Sequence, residues 1–253
     1  MSWLYQTAAL SPSEFWLLTL IVVAAGVVRG FSGFALSALI MAAAVAILPP
    51  VDLIPMLWFL EMSASLMMMK GGWADADRPV AYGLVIGAAI GWPLGLWLTT
   101  SLDVPTSKAL ALAIIVVLAI SQLAKLRLPV LATKAGLYGS GIVSGAASGL
   151  AGVGGMVVAL YVLASDAAAR SMRGTLVLYL FLSLVMSMII MLSFGVMTGT
   201  SVARGLIFAI PTMIGVFLGQ QLFIERLAAY YRPFCLVLLC AIAGAGLIRT
   251  TLA

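Results

Sequence analysis

Arg29 and Glu61 are charges set inside apolar runs, which makes them the first candidates for chemistry. Arg29 is flanked by Val27, Val28 and Gly30. Burying an arginine in lipid costs about 2.5–3.5 kcal/mol on insertion scales, so it should face a partner or a wet cavity. Glycines beside it let the backbone approach a ligand closely. Helices starting near Gly33 and near Gly154 would aim their N-terminal N–H groups at the same point. An arginine with two helix N-termini is an anion site in chemical terms. Two structural alternatives stand beside it: an arginine snorkelling to the interface, or one neutralised by Glu61. Glu61 falls near the middle of the apolar run 51–69. It is a coupling candidate that would titrate with substrate movement if burial favoured its neutral acid. It would serve equally as the ion-pair partner of Arg29, or lie near a cavity mouth.

Hydroxyls recur nearby: Ser32, Ser37, Ser63, Ser65, Ser144, Ser148, Ser183 and Ser187. Oxyanions accept hydrogen bonds from hydroxyls, but serines also hold membrane helices together. Ser32 and Ser148 are singled out because they sit within glycine-rich cuts of the apolar sequence. The substrate-binding set read from the residues is therefore Arg29, Gly30, Ser32, Gly33, Ser148, Gly149, Gly152, Gly154 and Gly155. Bond-making chemistry is disfavoured. Histidine is absent, so Ser148 has no imidazole base, and a serine-protease reading fails. Cys235 and Cys240 are five apart in one apolar run and would point in different directions, against a disulfide or a metal site. Zinc, haem and iron–sulfur chemistry are ruled out with them, and no cofactor is expected.

The elements that must position these residues are set by composition. Of 253 residues, 64% are apolar and 8% charged, with a mean hydropathy of +1.22. A soluble domain carries about 45–50% apolar and about 25% charged residues, so this chain belongs in a bilayer. Disordered, disulfide-scaffold and nucleic-acid-binding classes are excluded with it. The formal charge of +5 reads as a topology signal. Met1–Ser13 has no basic residue ahead of the apolar run, and no removable signal peptide is expected.

Crossing a hydrocarbon core of about 30 Å takes about 20 helical residues. Six runs qualify: 51–69, 79–100, 105–124, 171–193, 201–222 and 232–250. Stretches 14–48 and 134–165 are each too long for one span and are cut by small residues, at Arg29–Gly33 and at Ser148–Gly155. The cuts are related: Gly26, Gly30 and Gly33 become Gly145, Gly149 and Gly152 at an offset of 119. Gly91 and Gly95 become Gly215 and Gly219 at an offset of 124, the difference falling in a longer loop around Asp166–Gly174. Gly87-Gly91-Gly95 and Gly215-Gly219 are small-residue rows of the kind that pack helices, and the 14 methionines read as apolar filler. The expected fold is an all-α polytopic membrane protein of two inverted repeats, each a broken or re-entrant helical hairpin plus three transmembrane helices. The repeats are 1–125 and 134–253, joined by a linker at 126–133.

Charge orients the halves. If each broken stretch crosses once, basic residues divide seven to five between the two sides, with almost no bias. If each is a hairpin of arms of about 15 residues returning to its starting side, the division changes. Lys70, Arg78, Lys125, Arg127, Lys134, Arg170, Arg173, Arg226 and Arg232 then share one side, with Lys108, Arg204 and Arg249 on the other. Nine to three is a positive-inside pattern, and it puts both termini outside. Parity is the same for half-way hairpins and for pairs of short full crossings; the hairpin is favoured.

The run Gly141-Ile142-Val143-Ser144-Gly145-Ala146-Ala147-Ser148-Gly149-Leu150-Ala151-Gly152-Val153-Gly154-Gly155, with Arg173-Gly174-Thr175 ahead of the next span, resembles the TauE/SafE family of sulfite and organosulfonate transporters. The resemblance covers nearly the whole chain in length and layout. It implies a secondary transporter of a small sulfur oxyanion or organosulfonate in the bacterial inner membrane, with export the expected direction. Its site would lie between the two hairpin tips, exposed alternately as one half rocks against the other. Rival readings are a passive anion channel, and a non-transporting membrane sensor or partner protein. Which anion is carried, proton or sodium coupling, and homo-oligomer formation stay open.

Overall fold

The computed structural model describes residues 2–32, 35–68, 76–125, 130, 133–164, 169–222 and 228–252. Among them are eleven helices: α1 (Ser2–Ala8), α2 (Pro12–Ser32), α3 (Leu36–Ala44), α4 (Pro50–Met68), α5 (Arg78–Ser101), α6 (Val104–Leu123), α7 (Lys134–Ala151), α8 (Gly154–Ala164), α9 (Ala169–Ser193), α10 (Gly199–Gln221) and α11 (Ala228–Leu252). The six expected spans are α4, α5, α6, α9, α10 and α11, with ends agreeing to within four residues. Together with α2 they make seven helices, among the described residues, long and apolar enough to cross a membrane.

Polar residues at the ends of the apolar runs set the boundaries. Asp77 accepts the Val80 N–H ahead of α5, and Asp103 accepts the Thr106 N–H ahead of α6. Thr133 and Thr198 do the same for α7 and α10. The Thr106 backbone N–H, with the Thr106 side chain, holds the Asp103 carboxyl below its ordinary range.

The two long stretches break where the small residues stand, but into unequal arms. The expected arms were of about 15 residues; α2 has 21 and α3 nine, while α7 has 18 and α8 11. At 1.5 Å per residue α2 is about 31 Å long, enough to cross by itself. α3 ends at Ala44, where the Ile47 and Leu48 N–H groups both close a turn onto its carbonyl ahead of Pro49 and Pro50. Gly152 ends α7 at φ +70°, a left-handed conformation that glycine takes without steric cost.

Two seams of small residues draw helices together. A Cβ on Gly91 of α5 would overlap the Ile142 carbonyl of α7, and one on Gly145 of α7 would overlap the Ala88 carbonyl of α5. In the second seam, a Cβ on Gly30 of α2 would overlap the Val216 carbonyl of α10, and one on Gly219 would overlap that of Val27. Without side chains in the way, backbones meet directly, which is how helices associate where no hydrophobic effect drives them. Partners rise together along each seam, Gly87 against Gly141 and Gly91 against Ile142, or Gly26 against Gly215 and Gly30 against Gly219. Both pairs of helices are therefore parallel.

Buried polar contacts fix the directions of the other helices. Arg204 of α10 donates from Nε to the Ala8 carbonyl (2.7 Å) and from Nη2 to that of Ala9 (3.4 Å). Its Nη1 lies 3.3 Å from Asp52 Oδ2. Those partners stand just before α2 and in the first turn of α4, so α2, α4 and α10 begin at one end of the molecule. The Asp77 N–H at the start of α5 donates to Thr175 Oγ1 near the start of α9 (2.9 Å). With α5 parallel to α7, the helices α5, α7 and α9 begin at the other end. Each break is thus a hairpin that returns to the end it started from. Further contacts join α4 to α10, α9 to α5, and α6 to α11. Two packed bodies result, one of α2, α3, α4 and α10, the other of α5, α7, α8 and α9, with α6 and α11 beside them.

Candidate functional site

A cavity of about 110 Å³ lies between these two bodies. One wall carries charge. Arg29, in the last turn of α2, is 6% exposed, and its Nη2 stands 3.2 Å from Glu61 Oε2 on α4. The other Glu61 oxygen, Oε1, accepts from Ser37 Oγ (2.6 Å) and from the Ser37 N–H (3.2 Å) in the first turn of α3. An arginine, a hydroxyl and a helix-terminal N–H thus converge on one carboxylate.

The opposite wall carries hydroxyls and bare backbone. Ser148, Gly152, Gly154 and Gly155 line it at the α7–α8 break, and Tyr179 and Ser183 line it from α9. Ser144 donates to the Gly154 carbonyl (2.8 Å) and shares a 2.6 Å hydrogen bond with the buried Tyr179 hydroxyl, which pins the start of α8. A Cβ on Gly154 would overlap Ser148 Oγ, so only glycine lets the hairpin close this tightly. Trp58, Trp92, Leu57 and Leu180 supply apolar surface, and Trp58 Nε1 donates to the Leu184 carbonyl (2.8 Å), tying α4 to α9.

Of the residues singled out from the sequence, Arg29, Glu61, Ser148, Gly152, Gly154 and Gly155 share this cavity. Gly30 and Gly149 sit in the helix seams, against α10 and α5. The Ser32 hydroxyl donates to the Val28 carbonyl of its own helix (2.6 Å) and is not among the lining residues. Gly33 lies outside the described residues. Sequence reasoning missed Tyr179, Trp58 and Trp92, because aromatic residues in an apolar span look like filler until a cavity gives them a direction. It also missed the Arg204–Asp52 pair. The signal was available there, since Arg204 lies inside an apolar run as Arg29 does.

One cation, one carboxylate, several hydroxyls and two helix starts thus face an otherwise apolar space. A sequence model of the sulfite exporter TauE/SafE family matches residues 18–246, nearly the whole chain. The chain belongs to the TauE/SafE family. No curated protein and no solved structure matches it. The family is one of membrane transporters of sulfite and related anions, which agrees with seven helices able to cross a bilayer. TauE/SafE membership covers both hairpins and the cavity between them, since the match runs from α2 into α11.

Proposed function

We propose that this protein is a secondary transporter of a small sulfur-containing anion, sulfite or an organosulfonate, acting as an exporter in the bacterial inner membrane. The observation that carries this reading is the meeting of Arg29, Ser148 and the first turns of α3 and α8 in one cavity between two hairpin breaks. Arg29 neutralises the anion. Ser37, Ser148 and the N–H groups of α8 satisfy its oxygens, and the aromatic and aliphatic wall accommodates carbon or sulfur.

Alternating access follows from an inverted duplication of 1–125 and 134–253, with both termini on the outer face. The opposite starting ends of α2 and α7 support that reading, as do the matched seams α2–α10 and α7–α5. The moving bodies differ from the sequence halves, because α5 is packed into the second body and α10 into the first. Rocking of body against body opens the cavity to one side or the other while the glycine seams stay closed.

Thermal stability against a panel of anions tests the site. A ligand binding only the folded state stabilises it by about 2.7 kcal/mol at a hundredfold excess over Kd. Sulfite or a sulfonate should raise the melting temperature of the native protein and leave that of Arg29→Gln unchanged, with acetate and phosphate weaker on both. Equal shifts in the two proteins would remove Arg29 from the site.

A further inference from the structure

We propose that Glu61 is a built-in counter-anion which the substrate must displace, and that a proton taken up by Glu61 accompanies each monovalent anion. This deepens the transport reading above and rests on it. The donors that an incoming oxyanion would use are the Arg29 guanidinium, the Ser37 hydroxyl and the Ser37 N–H. In the structure all three already point at the Glu61 carboxylate, at 3.2, 2.6 and 3.2 Å. The protein's own anion occupies the substrate's place.

Charge decides what must happen when substrate arrives. Arg29 and Glu61 sum to zero. A monovalent anion added to that pair leaves one uncompensated negative charge in a largely apolar cavity, which is strongly unfavourable. Among the described lining residues the charged or titratable groups are Arg29 from α2, Glu61 itself from α4 and Tyr179 from α9. From α3 the lining group is Ser37, from α5 Trp92, and from α7 and α8 serine, glycine and apolar residues. Asp52 of α4 lies near the start of its helix with Arg204 of α10, and α6 presents no residue to the cavity.

Arg29 does not deprotonate, and a neutral tyrosine cannot absorb a negative charge, so the adjustment falls to Glu61. A carboxylate oxygen of Glu61 takes a proton from water on the side the anion comes from and forms an O–H bond. Its hydrogen bonds from Arg29 and Ser37 pass to the anion, and the new O–H becomes one more donor. Release on the far side returns the proton to water there and the carboxylate to Arg29. One anion and one proton cross together per cycle, the cycle is electroneutral, and net export runs only where the outward anion gradient exceeds the inward proton gradient.

The probe is methanesulfonate, which stays ionised at every pH used, so any pH dependence belongs to the protein. The native protein should bind it with an affinity that rises as pH falls, by up to about tenfold per unit, the slope of one proton taken up per anion. It should also take up one proton per anion bound, read with an indicator dye in weakly buffered solution. Glu61→Gln should bind with the same affinity across the pH range and take up no proton. A proton gradient should drive accumulation in liposomes holding the native protein, and not in those holding Glu61→Gln. If the native protein binds methanesulfonate, Arg29→Gln does not, the affinity is independent of pH and no proton is taken up, the coupling is wrong and the anion site stands. If methanesulfonate and sulfite bind neither the native protein nor Glu61→Gln at any pH, both readings fall. The proton-uptake measurement needs no variant, so a poorly folding Glu61→Gln leaves the decision intact.

Discussion

At the scale of residues, the two members of the Arg29–Glu61 pair are not equivalent. An orphaned carboxylate can neutralise itself by taking a proton, whereas a guanidinium cannot lose one. Removing Glu61 therefore strands a charge on a residue that is 6% exposed, while removing Arg29 does not. Breaking a buried pair from one side costs about 3–5 kcal/mol. Glu61→Ala should approach the lower part of that range, since the Glu61 side chain is 20% exposed. Arg29→Gln should cost clearly less, because Ser37 still holds the carboxyl by two hydrogen bonds. Unfolding midpoints of the two variants in one detergent check the order. An Arg29→Gln protein less stable than Glu61→Ala would contradict the charge argument.

At the scale of elements, the glycine seams make the sharpest demands. On α5, Gly91 meets the α7 backbone so closely that a Cβ has no room, whereas Gly139 on α7 has nothing within 4 Å of where its Cβ would stand. Gly91→Ala should destabilise by at least the about 1–3 kcal/mol typical of overpacking, since the obstacle is backbone that cannot swing aside. Gly139→Ala should be neutral or stabilising by up to about 1 kcal/mol, the gain in helix propensity. Matched melting curves would show the contrast, and two equal curves would mean that the seam is looser than described. These seams also mark what the sequence could and could not disclose. Hydropathy located α4, α5, α6, α9, α10 and α11, because about 20 apolar residues between polar caps leave little choice. The small-residue cuts located both breaks, and Glu61 was visible as one partner open to Arg29. The rows Gly87-Gly91-Gly95 and Gly215-Gly219 were legible as packing surfaces, but nothing in a row names its partner. That α5 joins α7, and α10 joins α2, is a choice made in three dimensions between surfaces that look alike. Unequal hairpin arms escaped for a similar reason: a cut shows where a helix stops, whereas the next arm of the first pair ends in a turn on the Ala44 carbonyl that an all-apolar run does not mark.

At the scale of the whole molecule, the two walls of the cavity belong to different packed bodies, and they differ in kind. Arg29, Glu61 and Ser37 stand on one, Ser148, Ser183 and Tyr179 on the other. Under the proposed duplication the two walls start alike and one has kept or gained the charge pair, so the proposed anion meets its cation and Ser37 on one body and Ser148 on the other. The proposed relative motion of the bodies would change the substrate's surroundings directly, which is what a transporter requires of its site. The most direct test is flux of labelled sulfite and labelled organosulfonate into liposomes holding only the purified protein. Saturable transport that unlabelled substrate competes away, and that is lost in Arg29→Gln at equal incorporation, is the predicted result. No flux of either anion, or undiminished flux through Arg29→Gln, would contradict a sulfur-anion transporter with its site at the paired hairpins.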